Sequence, residues 1–407
     1  MDIRPILSTL TRHKTAAALI VLEIALSCAI ICNALFIVSQ RIDTMNMPSG
    51  MDDNRLIEIA LSGIGKQVDA DARTAEDLAS LRGIAGVEKA AIVNQLPFQN
   101  GSWNSGFAVT PDPDAQSINA AQYMVGEESV ATMGLKLIAG RDFHADEYKS
   151  SALLEEEQDL SALRSPVIVT QSVAKHLFPD GSAVGKTIYM ANVPLTIIGV
   201  VEALVRPNMQ SNDRTRSVMF PIRMNFSNGG SFLIRTSEPG RRDEVLKQAL
   251  AALDKNDPNR LTWRKMTFEQ GRAEFFADDR DMVGLLLIVS VLLLLVTALG
   301  IIGLASFWVQ QRTKQIGIRR ALGATRGQIL RYFQTENFLL AGIGIVVGML
   351  LAYLLNQWLM GRYELPRLPL LYLPIGAVLL WMLGQIAVFG PARKAAAIPP
   401  AVATRSA

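Results

Sequence analysis

Residues 181–187 read GSAVGKT, and a Gly-Lys-Thr triplet is a signal for phosphate chemistry. A phosphate loop needs G-x-x-x-x-G-K-[ST], so that successive backbone N–H groups wrap the phosphates and a helix N-terminus follows. Counting back from Gly185 puts Asp180 where the first glycine belongs, and Gly181 comes one residue late. The continuation, TIYMANVPLTIIGVV, is rich in Thr, Ile, Val and Tyr and reads as strands. The stretch is therefore expected to be a loop between strands. Other catalytic signals are thin. His13, His144 and His176 are scattered without a ligand spacing, and no G-x-S-x-G occurs. Cys28 and Cys32 lie one helical turn apart in an apolar run, which reads as packing in preference to a metal or redox pair. Asp278, Asp279 and Asp281 read as a charged helix turn. Neither a catalytic group, a cofactor site nor a metal site is expected in this chain.

The elements that position these residues follow from hydropathy. Of the 407 residues, 50% are hydrophobic and 19% charged. Four stretches, 16–38, 282–309, 338–359 and 370–389, hold no Lys or Arg and are long enough for a helix to cross a bilayer core of about 30 Å. The first is too long for a signal-peptide core and reads as an uncleaved anchor. Basic residues set the orientation. Arg4, Arg12 and Lys14 precede the first span; Arg312, Lys314, Arg319, Arg320, Arg326 and Arg331 separate the second from the third; Arg393, Lys394 and Arg405 follow the fourth. The N-terminal segment 1–15, the loop 310–335 and the tail 390–407 are thus expected on the cytoplasmic side, and 39–281 on the other. Residues 41–281 carry 26 Lys and Arg against 33 Asp and Glu, a net of −7 hidden in an overall +3. A nucleic-acid partner is not expected. Lys186 falls on the side without ATP.

About 240 residues outside the cytoplasm are ample for a folded core. NRLIEIAL, VEKAAIVNQLP, LTIIGVVEALV, SVMFPI and SFLIRT read as strands; ARTAEDLASLRG reads as a helix, and VIVTQSVAKHLF as a strand running into one. GRRDEVLKQALAALDK is an amphipathic helix with Val245, Leu246, Ala249, Leu250 and Leu253 on one face. The fold class is a four-helix membrane protein with a large α+β domain between helices 1 and 2. The EEEQD run at 155–159 reads as a solvated surface insertion.

The cytoplasmic stretch QQRTKQIGIRRALGATRGQILRYF and the terminal GPARKAAAIPPAVATR resemble the permease subunits of MacB-type ABC transporters, which carry an FtsX-like membrane domain. The family pattern is close to R-x-x-E-I-G-I-x-R-A-L-G-A. Ile316, Gly317, Ile318, Arg320, Ala321, Leu322, Gly323 and Ala324 match it, as Pro391, Ala392 and Arg393 match the terminal pattern; Gln315 stands where the family has Glu. GLKLIAGRDF, VIVTQSVAKHLFPDGSAVGKTI and LTIIGVVEAL resemble that family's periplasmic core domain. The resemblance implies a two-lobed outer domain and a bacterial inner-membrane location. It also implies a dimer with a second copy or a related permease, and a cytoplasmic ABC ATPase partner holding ATP and Mg. A periplasmic adaptor and outer-membrane duct stay open. Efflux or export from the periplasmic side is the implied activity. An FtsX-like regulator or scaffold of cell-envelope enzymes, and a lipoprotein-extraction permease, are the alternatives.

The residues support an elbow on their own terms. Gly323 breaks a helix and Thr325 can cap the next. Ile316, Leu322 and Ile329 form an apolar face where a plain loop would be polar. The ATPase contact is expected at Ile316, Gly317, Ile318, Arg319, Arg320, Ala321, Leu322, Gly323 and Ala324, with Ile316, Ile318 and Leu322 filling a partner's groove and Arg319 and Arg320 at its rim. The 28-residue second span, about 42 Å of helix, suits a stalk. Glu23 is the one ionisable group inside the first span and a candidate by position. Gly344 and Gly348 form G-x-x-x-G in the third span, suited to internal packing or to dimerisation. Trp308, Trp358, Tyr363 and Tyr372 are placed like interface anchors.

The orientation is open to direct test. Single cysteines at Ser151 and Ser406, with Cys28 and Cys32 replaced, should label oppositely with an impermeant thiol reagent in intact cells. Equal labelling, or the reverse pattern, removes the topology and reopens the nucleotide question.

Overall fold

The computed structural model describes residues 14–64, 69–112, 115–151, 165–209, 213–363 and 367–399. The chain divides into two compact units, Met47–Ala277 and the remainder, joined at residues 46/47 and 277/278.

The first unit is helical. Among the described residues, four helices are long and apolar enough to cross a membrane: α1 (Lys14–Met45), α7 (Ala277–Gln311), α9 (Arg326–Tyr363) and α10 (Tyr372–Ala396). Each runs beyond the apolar stretch in the sequence, because flanking polar residues continue the helix without interrupting its backbone bonds. The correction is largest for α9, which takes in residues 326–335 that the sequence placed in the loop. Ile20, Ile24, Cys28 and Cys32 of α1 pack with Ile301 and Ala305 of α7, Ala341 and Ile345 of α9, and Leu380 and Val388 of α10. Small residues make this possible. A Cβ on Gly344 would sit 2.9 Å from the Ile24 side chain, and one on Gly348 would sit 2.5 Å from Cys28 Cβ and 2.6 Å from Ala25 O. The G-x-x-x-G thus serves packing inside the chain, where the backbone of α9 comes against α1. The two sulfur atoms lie 4.0 Å apart, buried, with Cys28 also against Ile345 O. Trp381 stacks on Phe338 at 5.2 Å with the rings 6° apart. The length of α7 from Leu285 to Leu299 leaves Leu285, Ile288, Val291, Leu292, Leu295, Val296 and Leu299 exposed, a surface suited to lipid.

The second unit holds a twelve-stranded mixed sheet of order β12-β1-β11-β2-β4-β10-β7-β9-β5. The strands are β1 (Leu56–Gly63), β2 (Val87–Val93), β4 (Ile118–Val125), β5 (Leu137–Gly140), β7 (Pro166–Thr170), β9 (Val193–Val201), β10 (Ser217–Arg223), β11 (Ser231–Thr236) and β12 (Arg260–Thr267). Off this path, β3 (Asn104–Phe107) pairs with β4, β6 (Lys149–Ser150) with β10, and β8 (Thr187–Met190) with β9. Pairing from β12 to β4 is antiparallel, whereas β4–β10 and β7–β9 are parallel. β2 and β4 meet at the single pair Val93↔Val125, so the sheet is two halves joined at a narrow seam. The half from β12 to β2 is covered by α2 (Ala70–Arg82) and α5 (Arg242–Asn256), whose Val245, Ala249 and Leu253 enter the core. Short helices α3 (Ser129–Met133), α4 (Gln171–Leu177) and α6 (Phe268–Phe275) complete the unit.

Two buried carboxylates here are paired with arginines, as low polarity favours. Arg260 and Asp77, 2% and 1% exposed, hold each other between α5 and α2. Glu58 accepts from Arg264 at 2.7 Å and from Gln99 at 2.9 Å; burial pushes its carboxyl up, and Arg264 works against that. The GSAVGKT stretch is a turn entering β8: Gly185 N–H donates to Ile197 O at 2.7 Å, and the Lys186 ammonium sits 4.5 Å over the Phe178 ring. A strand follows where a phosphate loop requires a helix. The EEEQD run at 155–159 lies outside the described residues.

Close packing of α9 on α1 sets a measurable cost. Gly348→Leu should lower the unfolding midpoint of the detergent-solubilised chain, by about 1–3 kcal/mol of overpacking. Gly361→Leu, with nothing within 4 Å of its added Cβ, should leave it unchanged. Equal midpoints for the two variants would show that α1 and α9 do not meet as described.

Candidate functional site

The elbow begins where α7 ends. Arg312 (φ −103°, ψ 10°) leaves helical geometry, while its N–H still donates to Trp308 O and its carbonyl accepts from Ile316 N–H at 2.9 Å. The chain bends there without losing its ladder. The Arg312 guanidinium donates to both oxygens of Glu336 on α9, at 3.0 and 2.8 Å, and lies 5.5 Å over the Trp308 ring. Glu336 is 1% exposed and Arg312 9%. Both bonds come from the one nitrogen Nη1, and the Trp308 ring covers the guanidinium, so the two together hold the group in place.

Helix α8 (Thr313–Ala321) follows and ends on a Schellman turn: Ala324 N–H donates to Arg319 O, and Gly323 N–H to Arg320 O. Gly323 takes φ +98°, the left-handed conformation that a side chain would oppose. Thr325 then caps α9 reciprocally with Gln328: Thr325 N–H donates to Gln328 Oε1 at 2.9 Å and Gln328 N–H to Thr325 Oγ1 at 3.3 Å. The Ala-Leu-Gly-Ala-Thr sequence is thus a stop and a start in five residues.

The elbow has two faces, and Ile316, Gly317 and Arg320, all expected at a partner, are turned to their own chain. Ile316, expected in a partner's groove, is 5% exposed and packs with Val309, Ile329, Phe333, Ala392, Ala395 and Ala396 of its own chain. Gly317 is buried beside it. Helical spacing explains the division: Ile316 and Ile318 are two positions, about 200°, apart on α8 and cannot share a face. The small alanines after Pro391 admit the Ile316 side chain. Arg320, expected at the rim, donates to Ala396 O at 2.8 Å and Ile398 O at 3.0 Å, capping the end of α10. Arg319 lies 5.1 Å over the Tyr332 ring. Outward-facing residues are Ile318, 49% exposed, and Leu322, 83% exposed, with Ala321, Gly323, Lys314, Arg319, Arg326 and Arg331 around them and Ala324 half-buried. An apolar knob within a basic ring is suited to a groove with an acidic edge.

Glu23 is not part of this site. Its carboxylate lies against the backbone of Gly300, where an added Cβ would be 2.5 Å from Glu23 Oε2. That is twelve residues, about 18 Å, along α7 from Arg312. Nearby, Ser27 and Thr297 share a buried hydrogen bond of 2.8 Å. Glu336 and Asn337 escaped the sequence reading because they fall between the loop limit at 335 and the apolar run from 338. An acid opening an apolar helix, with an arginine 24 residues before it, was the available signal. Trp308, read as an interface anchor, is buried under Arg312. Among the described residues no cluster of His, Cys, Asp and Glu could hold a metal ion.

Comparison with known proteins adds the following. Residues 15–252 match the MacB-like periplasmic core domain, and residues 287–400 the FtsX-like permease C-terminal domain. The macrolide export ATP-binding/permease protein MacB of Chromobacterium violaceum is 27% identical over 313 residues, covering 70% of this chain and 43% of that protein. The uncharacterized ABC transporter permease YknZ of Bacillus subtilis is 30% identical over 245 residues, covering 58% of this chain and 61% of that one. The crystal structure of the periplasmic region of MacB from Actinobacillus actinomycetemcomitans superposes with a TM-score of 0.34 at 17% identity, over 54% of this chain and 92% of that one. The chain spans less than half the length of the Chromobacterium relative.

The buried pair predicts a non-additive result. Arg312→Ala or Glu336→Ala should each destabilise the solubilised chain by about 3–5 kcal/mol, because each strands its partner. Combining Arg312→Met with Glu336→Leu should cost much less than either alanine variant in the same unfolding measurement. A double variant as unstable as both alanine losses added would show that the two side chains do not act as a pair.

Proposed function

The chain belongs to the family of permeases that join a MacB-like periplasmic core domain to an FtsX-like permease C-terminal domain, and from that premise we propose that it is the permease subunit of an ABC transport system. In this reading the ATPase, with its ATP and Mg, resides on a partner polypeptide on the cytoplasmic side. The chain sits in the bacterial inner membrane as a dimer with a second copy or a related permease. The outer domain is periplasmic, and both ends of the chain are cytoplasmic.

The observation that carries the proposal is the division of the elbow into an anchored and a presented face. Ile316, Arg320 and Arg312 tie it to α9 and α10, while Ile318 and Leu322 stand in the open within a ring of cations. A solvent loop has no cause to be held so firmly with its apolar side chains outward. Docked on an ATPase, such an elbow moves with it, and the anchors pass that movement into the helices. No nucleotide chemistry is assigned to this chain, since the Gly-Lys-Thr triplet enters a strand. The outer domain then changes shape around substrate already outside the inner membrane.

Burying a leucine side chain is worth roughly 1.5–3 kcal/mol, enough to change an affinity about tenfold or more. Leu322→Asp should therefore lose the ATPase in pull-downs from native membranes, or uncouple hydrolysis from transport, with the chain inserted at normal levels. Arg319→Ala should act mainly through the salt dependence of association. Full ATPase recovery and full transport by Leu322→Asp would leave the elbow an ordinary basic loop and favour the regulator or scaffold reading.

A further inference from the structure

The outer domain is joined to the helical unit at two points of the chain, 46/47 and 277/278. Within the outer domain, one side chain ties the chain just after the first to the chain just before the second. Arg272 lies on α6, five residues before the second crossing, and its guanidinium donates at 2.6 Å to the carbonyl of Met47, the first residue after the first crossing. It also donates at 2.7 Å to Asp53 and lies 4.6 Å over the Phe98 ring. Arginine's planar fork can serve a carbonyl, a carboxylate and an aromatic face together; a lysine cannot.

The groups that Arg272 holds are themselves fixed. Asp53 accepts from Ser49 Oγ. Ser49 O accepts from Val205 N–H at 2.9 Å, Asp52 N–H donates to Met133 O at 2.9 Å, and Asp52 pairs with Arg235 of β11 at 2.5 Å. The segment 47–53 is therefore bound to α3, to β11 and to the loop after β9. Phe98 has φ +63°, a conformation that non-glycine residues keep only where the surroundings enforce it. Its ring is enclosed by Phe268, Phe275 and Phe276 at 6.0, 6.1 and 5.3 Å. Phe268 and Phe275 are the ends of α6, and Phe276 is the residue before α7.

We propose that Arg272 is a positioning residue, a clasp that makes the two crossings of the outer domain one mechanical unit, so that a displacement arriving through α7 is delivered to segment 47–53 and the domain built on it. This rests on the permease reading for its consequence, though not for the clasp itself. Without the clasp, α6 and the 47–53 segment are joined only through the pairing of β12 with β1, and motion of one helix is partly absorbed at the base of the domain.

Hydrogen–deuterium exchange of the full chain in lipid nanodiscs tests it. In the wild type, amides of 47–53 and 268–276 should open together, within about twofold of one rate. Arg272→Ala should separate the two rates by about tenfold, with α5 still protected as the sign that the domain is folded. Arg272→Met, which keeps the stacking on Phe98 without the donors, should behave like the alanine variant, and Arg272→Lys should fall between. If Arg272→Ala also strips protection from α5, Asp53→Asn replaces it and should raise exchange at 47–53 about threefold. With the ATPase bound, ATP should change exchange in both segments of the wild type and only in 268–276 of Arg272→Met. A common rate preserved in Arg272→Ala or Arg272→Met, or unchanged exchange in Asp53→Asn, overturns the clasp. Recovery of the ATPase with the wild-type chain, which depends on Leu322 and not on Arg272, separates that failure from failure of the permease reading.

Discussion

The Arg312–Glu336 pair sets the direction in which the chain leaves α7, and the two faces of the elbow follow from it. A guanidinium held by both carboxylate oxygens and covered by an indole has little rotational freedom. Since Arg312 is the residue between α7 and α8, the azimuth of α8 about its own axis is fixed with it. Ile316 is then turned inward and Ile318 outward by the helical repeat alone. Removing a charge pair from water is costly and contributes little net stability. What it supplies here is orientation, which an apolar contact of the same size would leave looser.

The sheet domain uses the same means on a larger scale. Its core is apolar, from Ile57 and Ile59 of β1 through Phe220 of β10 to Ile197 of β9. The places where elements must keep a set angle carry arginines instead. Arg260 fixes α5 to α2, Arg264 joins β12 to Glu58 of β1, and Arg235 joins β11 to Asp52. Arg260 opens β12 and Arg235 is next to the last residue of β11, whereas Arg264 lies within β12 and ties it to the strand beside it. All three pairs lie in the half-sheet from β12 to β2; the seam to β4 is held by backbone bonds from Asn94 to Met124 and from Gly126 to Ile92.

Legibility from sequence varied with how local the cause was. The four long helices, the amphipathic α5 and the strands β1, β2, β7, β9, β10 and β11 were readable because their patterns repeat within the element. Gly323 and Thr325 were readable because turn and cap chemistry is written in adjacent residues. β12 escaped because Arg260, Arg264 and Lys265 break its apolar alternation, and the salt bridge that justifies Arg264 has its partner 206 positions away. β4, INAAQYMV, has too few β-branched residues to announce itself; its burial comes from neighbours. The inward turn of Ile316 was hidden for the same reason. The alanines that receive it lie in α10, and nothing near Ile316 in the chain distinguishes it from Ile318.

Arg320 closes the elbow onto carbonyls at Ala396 and Ile398, 76 and 78 residues later in the chain. At roughly 5–20 residues per second, a ribosome needs about 4–15 s to make that intervening length. Through that interval the elbow lacks its cap, and Ile316 lacks the alanines of α10 that cover it. A growing chain therefore presents an unfinished elbow, and the finished one exists only after α10 has been laid beside it. Folding is thereby ordered in time: a closed elbow certifies that synthesis has gone past residue 398.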